Sequence, residues 1–329
     1  MKKRINNIRF QQIVLLALTL LVAACSHQKS SNSIHFQRFE QELFETPFGQ
    51  LQQHLVEVQP QYNTPLLNLQ PQNPQFMEML AGFVADPVVK DVYEITQKAF
   101  PSMEPYEAAL AEPIAKMEQL IPGTSYKHFY TMVSCQFDYS HRVFCDDESV
   151  VVSIDQYALS EMESYSYFGS PLYLAALSQP QYLVCDILAA MARQRVAFTE
   201  NEDVTLLDHI IAEGKVMYLL EQLLPKEADT LRLRYTEEQL RWMKSNEAQV
   251  WSYFIKNKLL YETDYMRYHN FIDEAPKTNA FRDSAPRTTV YIGWQIVRQY
   301  MKKNKQVSLA ELFDNANAQE ILSQSGYRP

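Results

Sequence analysis

Hydrophobic residues recur at three- and four-residue intervals over most of this chain, a spacing that is typical of helices. Between residues 36 and 120 the pattern is helical throughout, and several prolines divide it into short segments. Defined helices are predicted at 86–100, 102–121, 181–197, 204–224, 236–257, 289–303, 308–313 and 317–323. Thr205 and Thr236 are placed to cap two of them. We expect residues 258–288 to form a long loop with short turns.

The hydrophobic period changes in the middle of the chain. Segments 128–134, 142–144 and 150–154 are strand-like, and polar runs between them supply turns. An aromatic, polar loop is expected at 157–171. The fold class is therefore α-rich α+β, with one small antiparallel sheet inside a mainly helical protein. No repeat or composition break follows, so residues 34–329 are expected to form a single domain.

Residues 1–24 form a predicted lipoprotein signal peptide. A basic start precedes an apolar run from Ile13 to Ala24, which is too short for a permanent membrane span of about 20 residues. The run ends in small residues before Cys25, which resembles a bacterial lipoprotein cleavage box. We expect Cys25 to be acylated, with residues 25–33 as a polar tether. The alternative is an ordinary signal peptide that has a cysteine there by chance.

The residues that follow Cys25 predict which membrane holds the lipid anchor. Ser26 follows the cysteine, where an aspartate would argue for retention in the inner membrane. Residues 26–33 carry no acidic run of the type associated with surface export. We expect a lipid-anchored protein of the outer membrane that faces the periplasm.

The charge balance argues against nucleic acid as a partner. The 329-residue chain has 30 basic and 39 acidic residues, a formal net charge of −9. Loss of the signal peptide removes four basic residues and no acid, which leaves 26 bases and a net charge of −13. A chain so acidic is repelled by phosphate backbones. Only seven glycines are present, which argues against a glycine-loop nucleotide site, and no cofactor is predicted.

Three cysteines remain besides Cys25. Cys135 and Cys145 flank a predicted hairpin in an oxidising compartment, so either a cross-strand disulfide or two reduced thiols fits the sequence. Cys185 lies on an apolar helix face and is expected to be a buried free thiol.

No pattern of a known catalytic site is evident. No two of the seven histidines have the spacing that places two imidazoles on one helix face in an HExxH zinc site, and GxSxG is absent. His209 and Glu213 are four residues apart and form a weak metal-binding candidate, two ligands short of a site. A solvent-facing polar pair is the alternative.

Two glycines lie inside predicted helices, beside residues of interest. Gly214 follows Glu213, and Gly293 precedes Trp294. Glycine in a helix interior costs about 1 kcal/mol relative to alanine, so it marks a close helix crossing or the wall of a cleft. The C-terminal half is also aromatic around Trp251. A ligand-binding surface and an ordinary core are both consistent with this pattern.

The same region resembles the gliding-motility lipoprotein B (GldB) family of Bacteroidetes. The resemblance is carried by residues 206–215, 218–220, 235–236, 238–240, 246–247, 250–251, 253–255, 259–261, 263–264, 275–276, 292–297, 300–301 and 319–322, and by Ser325, Tyr327 and Pro329. It is dense over residues 200–329. Before that, the shared features are the cleavage box, the strand hairpin and Asp155-Gln156-Tyr157.

The resemblance implies an envelope lipoprotein associated with gliding motility and, more widely, with the type IX secretion apparatus. It also implies a helical domain distantly similar to gluzincin-type zinc peptidases, in which a Glu-Gly helix supplies the third metal ligand. Glu213 and Gly214 would occupy that position, but the preceding helix, 181–197, has no histidine. The resemblance thus implies a degenerate peptidase scaffold that keeps a groove without the zinc chemistry.

Two functions follow. The first is a non-catalytic lipoprotein that binds a protein or peptide component of the gliding and secretion machinery through the degenerate groove. The candidate groove residues are Glu213, Gly214, Trp251, Asp264, Gly293 and Trp294. The alternative is a metal-dependent hydrolase of envelope peptides, with Glu213 as base and ligands among His209, Glu221 and Asp186. Structural tethering alone is a third possibility.

Overall fold

A computed structural model describes residues 34–136, 142–158, 171–198 and 204–329. The predicted signal peptide, acylated Cys25 and tether lie outside the described residues, as does most of the predicted loop at 157–171. Residues Ile34–Pro329 form one unit, in which helices surround a small sheet. The predicted α-rich α+β class is confirmed.

The sheet is mixed, so the predicted antiparallel arrangement is wrong for most of it. Its strands are β1 (Phe36–Arg38), β2 (His128–Met132), β3 (Val143–Cys145) and β4 (Ser149–Ser153), in the order β1-β2-β4-β3. Both β1 with β2 and β2 with β4 are parallel, and only β3 with β4, joined by a short turn, is antiparallel. Because β1 comes from a segment with helical spacing, the sequence pattern missed it.

The sheet separates two hydrophobic cores. Alternate residues of a strand point to opposite faces, so Val150 and Val152 join the main core while Val151 joins a smaller one. All five residues of β4 are buried, as expected for an interior strand with an unbroken apolar run.

The N-terminal helices contribute to both cores: the first three pack in the smaller core, and the last two pack in the main core. They are α1 (Phe39–Phe44), α2 (Leu51–Val58), α3 (Pro74–Ala85), α4 (Pro87–Ala99) and α5 (Glu104–Leu120). Asn73 and Asp86 cap α3 and α4 through their side chains.

The C-terminal helices build the main core. They are α6 (Leu172–Leu177), α7 (Leu183–Gln194), α8 (Leu206–Leu223), α9 (Asp229–Leu233), α10 (Glu237–Lys256), α11 (Tyr265–Ile272), α12 (Thr288–Lys303), α13 (Leu309–Asp314) and α14 (Ala318–Ser325). The predicted caps at Thr205 and Thr236 are confirmed, and both form capping boxes. Helix α11 lies in the segment predicted as a loop, and that prediction is corrected. Within the described residues, no helix has the length and apolar character needed to cross a membrane.

Candidate functional site

A cavity of about 120 Å³ lies beside α7 and α8, where the sequence placed its candidate carboxylates. Eight charged side chains, five arginines and three acids, are among those that line it. They are Arg142, Arg193, Arg232, Arg234, Arg287, Asp186, Glu213 and Glu274. A neighbouring cleft of about 320 Å³ shares four of these residues, so the two spaces meet at common walls.

Glu213 is held by an arginine from the facing helix. The Arg193 Nε donates to Glu213 Oε1 at 2.7 Å, and its Nη2 donates to Oε2 at 2.9 Å. Burial alone would raise the pKa of Glu213, but the charge and hydrogen bonds of Arg193, with smaller effects of Arg287 and His209, hold the pKa below its usual 4.5. Glu213 is therefore an anion with a fixed cationic partner.

Asp186 and Glu221 are held in the same way. Asp186 Oδ2 accepts hydrogen bonds from Arg234 Nη1 at 2.6 Å and from Tyr157 at 2.7 Å. Glu221 makes two hydrogen bonds with Arg298, of 2.9 and 2.8 Å, and accepts a third from the Trp294 indole.

His209, the other weak metal-binding candidate, packs between aromatic rings instead of beside a ligand set. Its ring lies 6.4 Å from that of Phe198 and 5.8 Å from that of Tyr268, measured between centroids. Burial lowers its pKa, with opposing effects of Glu213 and Asp208.

The donor set does not fit the zinc ion implied by a peptidase-like scaffold. Among the described residues, no three His, Cys, Asp or Glu side chains form a group that could hold a metal ion. A cation next to Glu213 would also meet the guanidinium of Arg193, which already occupies both carboxylate oxygens.

Two of the cavity arginines have an unusual backbone. Arg234 ends α9 with φ 58°, and Arg287 precedes α12 with φ 43°, both in the left-handed region that disfavours side chains with a Cβ. Arg234 reaches Asp186 and the Leu177 carbonyl, while Arg287 lies 2.6 Å from Glu274. The strained backbone thus brings two guanidinium groups to the cavity.

The sequence profile of the family described as gliding motility protein GldB matches residues 24–329. The chain belongs to the GldB family. No curated protein and no solved structure matches it in the comparisons. The expected gliding-motility lipoprotein is confirmed at family level, whereas the likeness to gluzincin peptidases remains a prediction.

In this GldB protein, Gly214 and Gly293 form a helix crossing and are not open to a ligand. A Cβ on Gly214 would lie 2.3 Å from the Gly293 oxygen, and one on Gly293 would lie 1.9 Å from the Ile210 oxygen. Trp294 is fully buried beneath Arg298, whose guanidinium carbon lies 3.7 Å from the ring centroid. These three candidate groove positions are corrected to core, because α8 and α12 pack backbone to backbone.

The two remaining groove candidates lie at separate places on the GldB domain. Trp251, on α10, is half-buried and packs edge-on against Tyr327 with the ring centroids 5.2 Å apart. Asp264 caps α11 by accepting the Met266 amide. Neither residue lines the 120 Å³ cavity with its five arginines, which we call the arginine cavity. Of the six groove candidates, only Glu213 is among the described residues that line it.

Cys135 and Cys145 are free thiols, and the disulfide alternative is corrected. Cys145 on β3 is paired with Val150 on β4, and Val150 is paired with Phe129 near the start of β2. Cys135 follows the other end of β2. The stretch of β2 from Phe129 to Met132 alone spans roughly 10 Å, beyond the reach of a disulfide. Cys185 is a buried free thiol, as expected.

The five cavity arginines were not singled out by the sequence analysis. They come from four separate segments, and no spacing rule links Arg142 with Arg287. One sequence signal was the motif Asp155-Gln156-Tyr157. Asp155 accepts a hydrogen bond from the Cys135 amide, Gln156 donates one to the Gln136 carbonyl, and the Tyr157 hydroxyl donates one to Asp186. This motif ties the end of β2 to the cavity wall on α7.

Proposed function

We propose that this GldB-family lipoprotein acts by binding a protein component of the gliding and type IX secretion machinery, without catalysis. It is anchored through Cys25 in the outer membrane and faces the periplasm. The observation that carries the proposal is the bidentate pair of Arg193 with Glu213, which places a cation where a hydrolase would need a metal or a free base.

The partner binds at the mouth of the arginine cavity. The open cleft beside it is lined by Arg193, His209, Asp273, Glu274 and Arg287, among others, and combines both signs of charge with apolar walls. Surfaces with such fixed, complementary charges give orientation and partner choice more than bulk affinity. Gly293 and Trp294 act on this surface only indirectly, as the crossing that holds α8 and α12 together.

Site-specific crosslinking tests the partner. A photoreactive amino acid replaces Asp273 in living cells, and the matched control replaces Met79, which is 65% exposed on α3. We expect an adduct with one envelope protein, identified by mass spectrometry, from position 273 only. Equal adducts from both positions, or none from 273, would reject the cleft as the partner site.

Metal analysis tests the alternative of a metal-dependent hydrolase. The lipoprotein, purified in detergent without chelator, is assayed for zinc per chain together with Glu213→Ala. We expect less than stoichiometric zinc in both proteins. One zinc per chain that is lost in Glu213→Ala would replace the binding function with the hydrolase. Protease shaving of intact cells tests the location, since a periplasmic protein should be protected.

A further inference from the structure

A separate cleft lies where the start of α8 meets the turn between α13 and α14. Its volume is about 610 Å³, and its described lining shares no residue with the arginine cavity or with the cleft beside that cavity. Its lining includes Asp208, Tyr261, Asp314, Asn315, Asn317 and Gln319. We propose that this space, which we call the tyrosine cleft, binds an uncharged saccharide.

An exposed aromatic ring forms one wall of the tyrosine cleft. Tyr261 is 61% exposed, and its hydroxyl donates a hydrogen bond to the side-chain oxygen of Gln319 in the first turn of α14. The backbone on either side of Tyr261 is also fixed, because its two neighbours accept hydrogen bonds of 2.9 and 3.1 Å from the first two amides of α8. A ring that is held in place and open to solvent can pack on the apolar C–H face of a sugar with little loss of side-chain entropy.

Two side-chain amides supply hydrogen-bond donors beside this ring. Asn317 Oδ1 caps α14 by accepting the Glu320 amide at 2.9 Å, and Gln319 Oε1 accepts the Tyr261 hydroxyl, so both amide oxygens are engaged. Within the described part of the chain, neither side-chain nitrogen has a hydrogen-bond partner. Each NH₂ group can therefore donate to a hydroxyl oxygen of a ligand.

Two carboxylates make the cleft suited to hydroxyl groups and unsuited to anions. Asp208 and Asp314 line it, and an anion that entered would meet their negative charge. A sugar hydroxyl instead donates to a carboxylate, in a charge-assisted hydrogen bond stronger than one between neutral groups. Since each hydroxyl both donates and accepts, a saccharide matches a lining that combines amide donors with carboxylate acceptors.

The turn that carries Asn317 is fixed from inside the protein. The Nζ of the buried Lys215 donates to the Asn315 carbonyl at 2.7 Å, and Asn315 Oδ1 accepts the Asn317 amide at 2.8 Å. The wall of the cleft is thus arranged before a ligand arrives. Such preorganisation lowers the entropic cost of binding.

Saccharide binding is measured by saturation-transfer NMR on the lipoprotein, purified in a detergent without a sugar headgroup. The probes are N,N′-diacetylchitobiose and maltose, and we expect at least one to bind at millimolar concentration. The two probes distinguish the sources. Tighter binding of the first assigns N-acetylated amino sugars, as in cell-wall glycan, and tighter binding of the second assigns neutral hexose chains.

Two substitutions locate the binding at the tyrosine cleft. Tyr261→Ala should weaken it about tenfold, whereas Tyr261→Phe keeps the ring and should retain most of the affinity. Asn317→Ser keeps an oxygen that can cap α14, removes the amide nitrogen and should weaken binding about fivefold. The matched controls are Phe48→Ala, at a residue that is 63% exposed, and Asn73→Ser, at the residue that caps α3. Neither control residue lines the cleft, so both variants should bind as wild type does.

Several outcomes would overturn the proposal. They are no binding of either disaccharide at millimolar concentration, unchanged binding in Tyr261→Ala, equal losses in Asn317→Ser and Asn73→Ser, or tighter binding of inorganic phosphate or trilysine than of both sugars. Circular dichroism and thermal midpoints establish that each variant is folded. The crosslink from Asp273 reports on the other cleft, so the partner-binding function and this saccharide site can fail independently.

Discussion

Glu213 and Arg193 face each other across α7 and α8, 20 residues apart in sequence, with both carboxylate oxygens engaged at 2.7 and 2.9 Å. If these two helices corresponded to the metal-binding helices of a gluzincin-type peptidase, Glu213 would be a metal ligand and α7 would supply two histidines. The chain instead supplies a guanidinium from α7. A cation that approached Glu213 would meet this guanidinium, and the proposed binding function, without catalysis, rests on that pairing.

The stability contribution of this pair should depend on pH. Because Arg193 holds the pKa of Glu213 below 4.5, its contribution is present above that pH and is lost as the pH falls through the lowered pKa. Arg193 is 48% exposed, so Arg193→Gln should cost only about 1 kcal/mol at pH 7. Urea unfolding should show a smaller difference from wild type at pH 3 than at pH 7.

Arg282→Gln is the control for this measurement. Its side chain is 94% exposed and, within the described part of the chain, pairs with the exposed Asp283. We expect a change within about 0.5 kcal/mol at both pH values. A cost for Arg193→Gln that persists undiminished at pH 3 would mean that packing, and not charge, carries the contribution of Arg193.

The crossing of Gly214 with Gly293 should tolerate no side chain. In Gly293→Ala the new Cβ would meet the Ile210 carbonyl oxygen at 1.9 Å, so α8 and α12 must separate. We expect a loss of about 3 kcal/mol or more in the free energy of unfolding. Gly82→Ala is the matched helical control because nothing lies within 4 Å of its Cβ, and it should gain about 0.5 kcal/mol. A mild effect at Gly293 would show that the helices can move apart.

Much of the helical framework was predictable from local pattern. Helices α7, α8, α10 and α12 begin and end within a few residues of the predicted bounds, because each has a long apolar face and a terminal signal such as the capping box at Thr205. Gly214 and Gly293 indicated either a close helix crossing or the wall of a cleft, and the structure shows the crossing.

The sheet order and the site were not predictable in the same way. Strand β1 has only three residues and exists because β2 is available to pair with Phe36–Arg38. Whether a carboxylate such as Asp186 is free or paired depends on Arg234, which is distant in sequence and reaches it from a left-handed turn. Such juxtapositions are set by tertiary packing, and no spacing within one segment encodes them.

The three cysteines outside the lipidation site should all be thiols. We expect Ellman's reagent to count three thiols per denatured lipoprotein, with the same number before and after reduction. In the folded protein the reaction should be slow, because burial raises the pKa of Cys145 and of Cys185 to about 12. A count of one that rises to three on reduction would restore the disulfide between Cys135 and Cys145.

Lys215 gives the last prediction, because it is a lysine buried inside α8. Its side chain is 2% exposed, and its Nζ donates to the Asn315 carbonyl at 2.7 Å. Burial lowers the pKa of Lys215 from 10.5 to about 8, with smaller opposing effects of Asp314 and Asp208. The folded state therefore releases this proton at a lower pH than the unfolded state, so protein stability should rise with pH between about 8 and 10.5.

Lys215→Met isolates that effect, since it keeps the length of the side chain and removes its charge. Relative to this variant, wild type should gain about 2 kcal/mol in the free energy of unfolding between pH 8 and pH 10, measured by urea titration. The variant serves as the reference because tyrosine ionisation at high pH affects both proteins equally. A constant difference across this range would mean that Lys215 stays protonated when folded, held by Asp314 and Asp208 more strongly than burial opposes them.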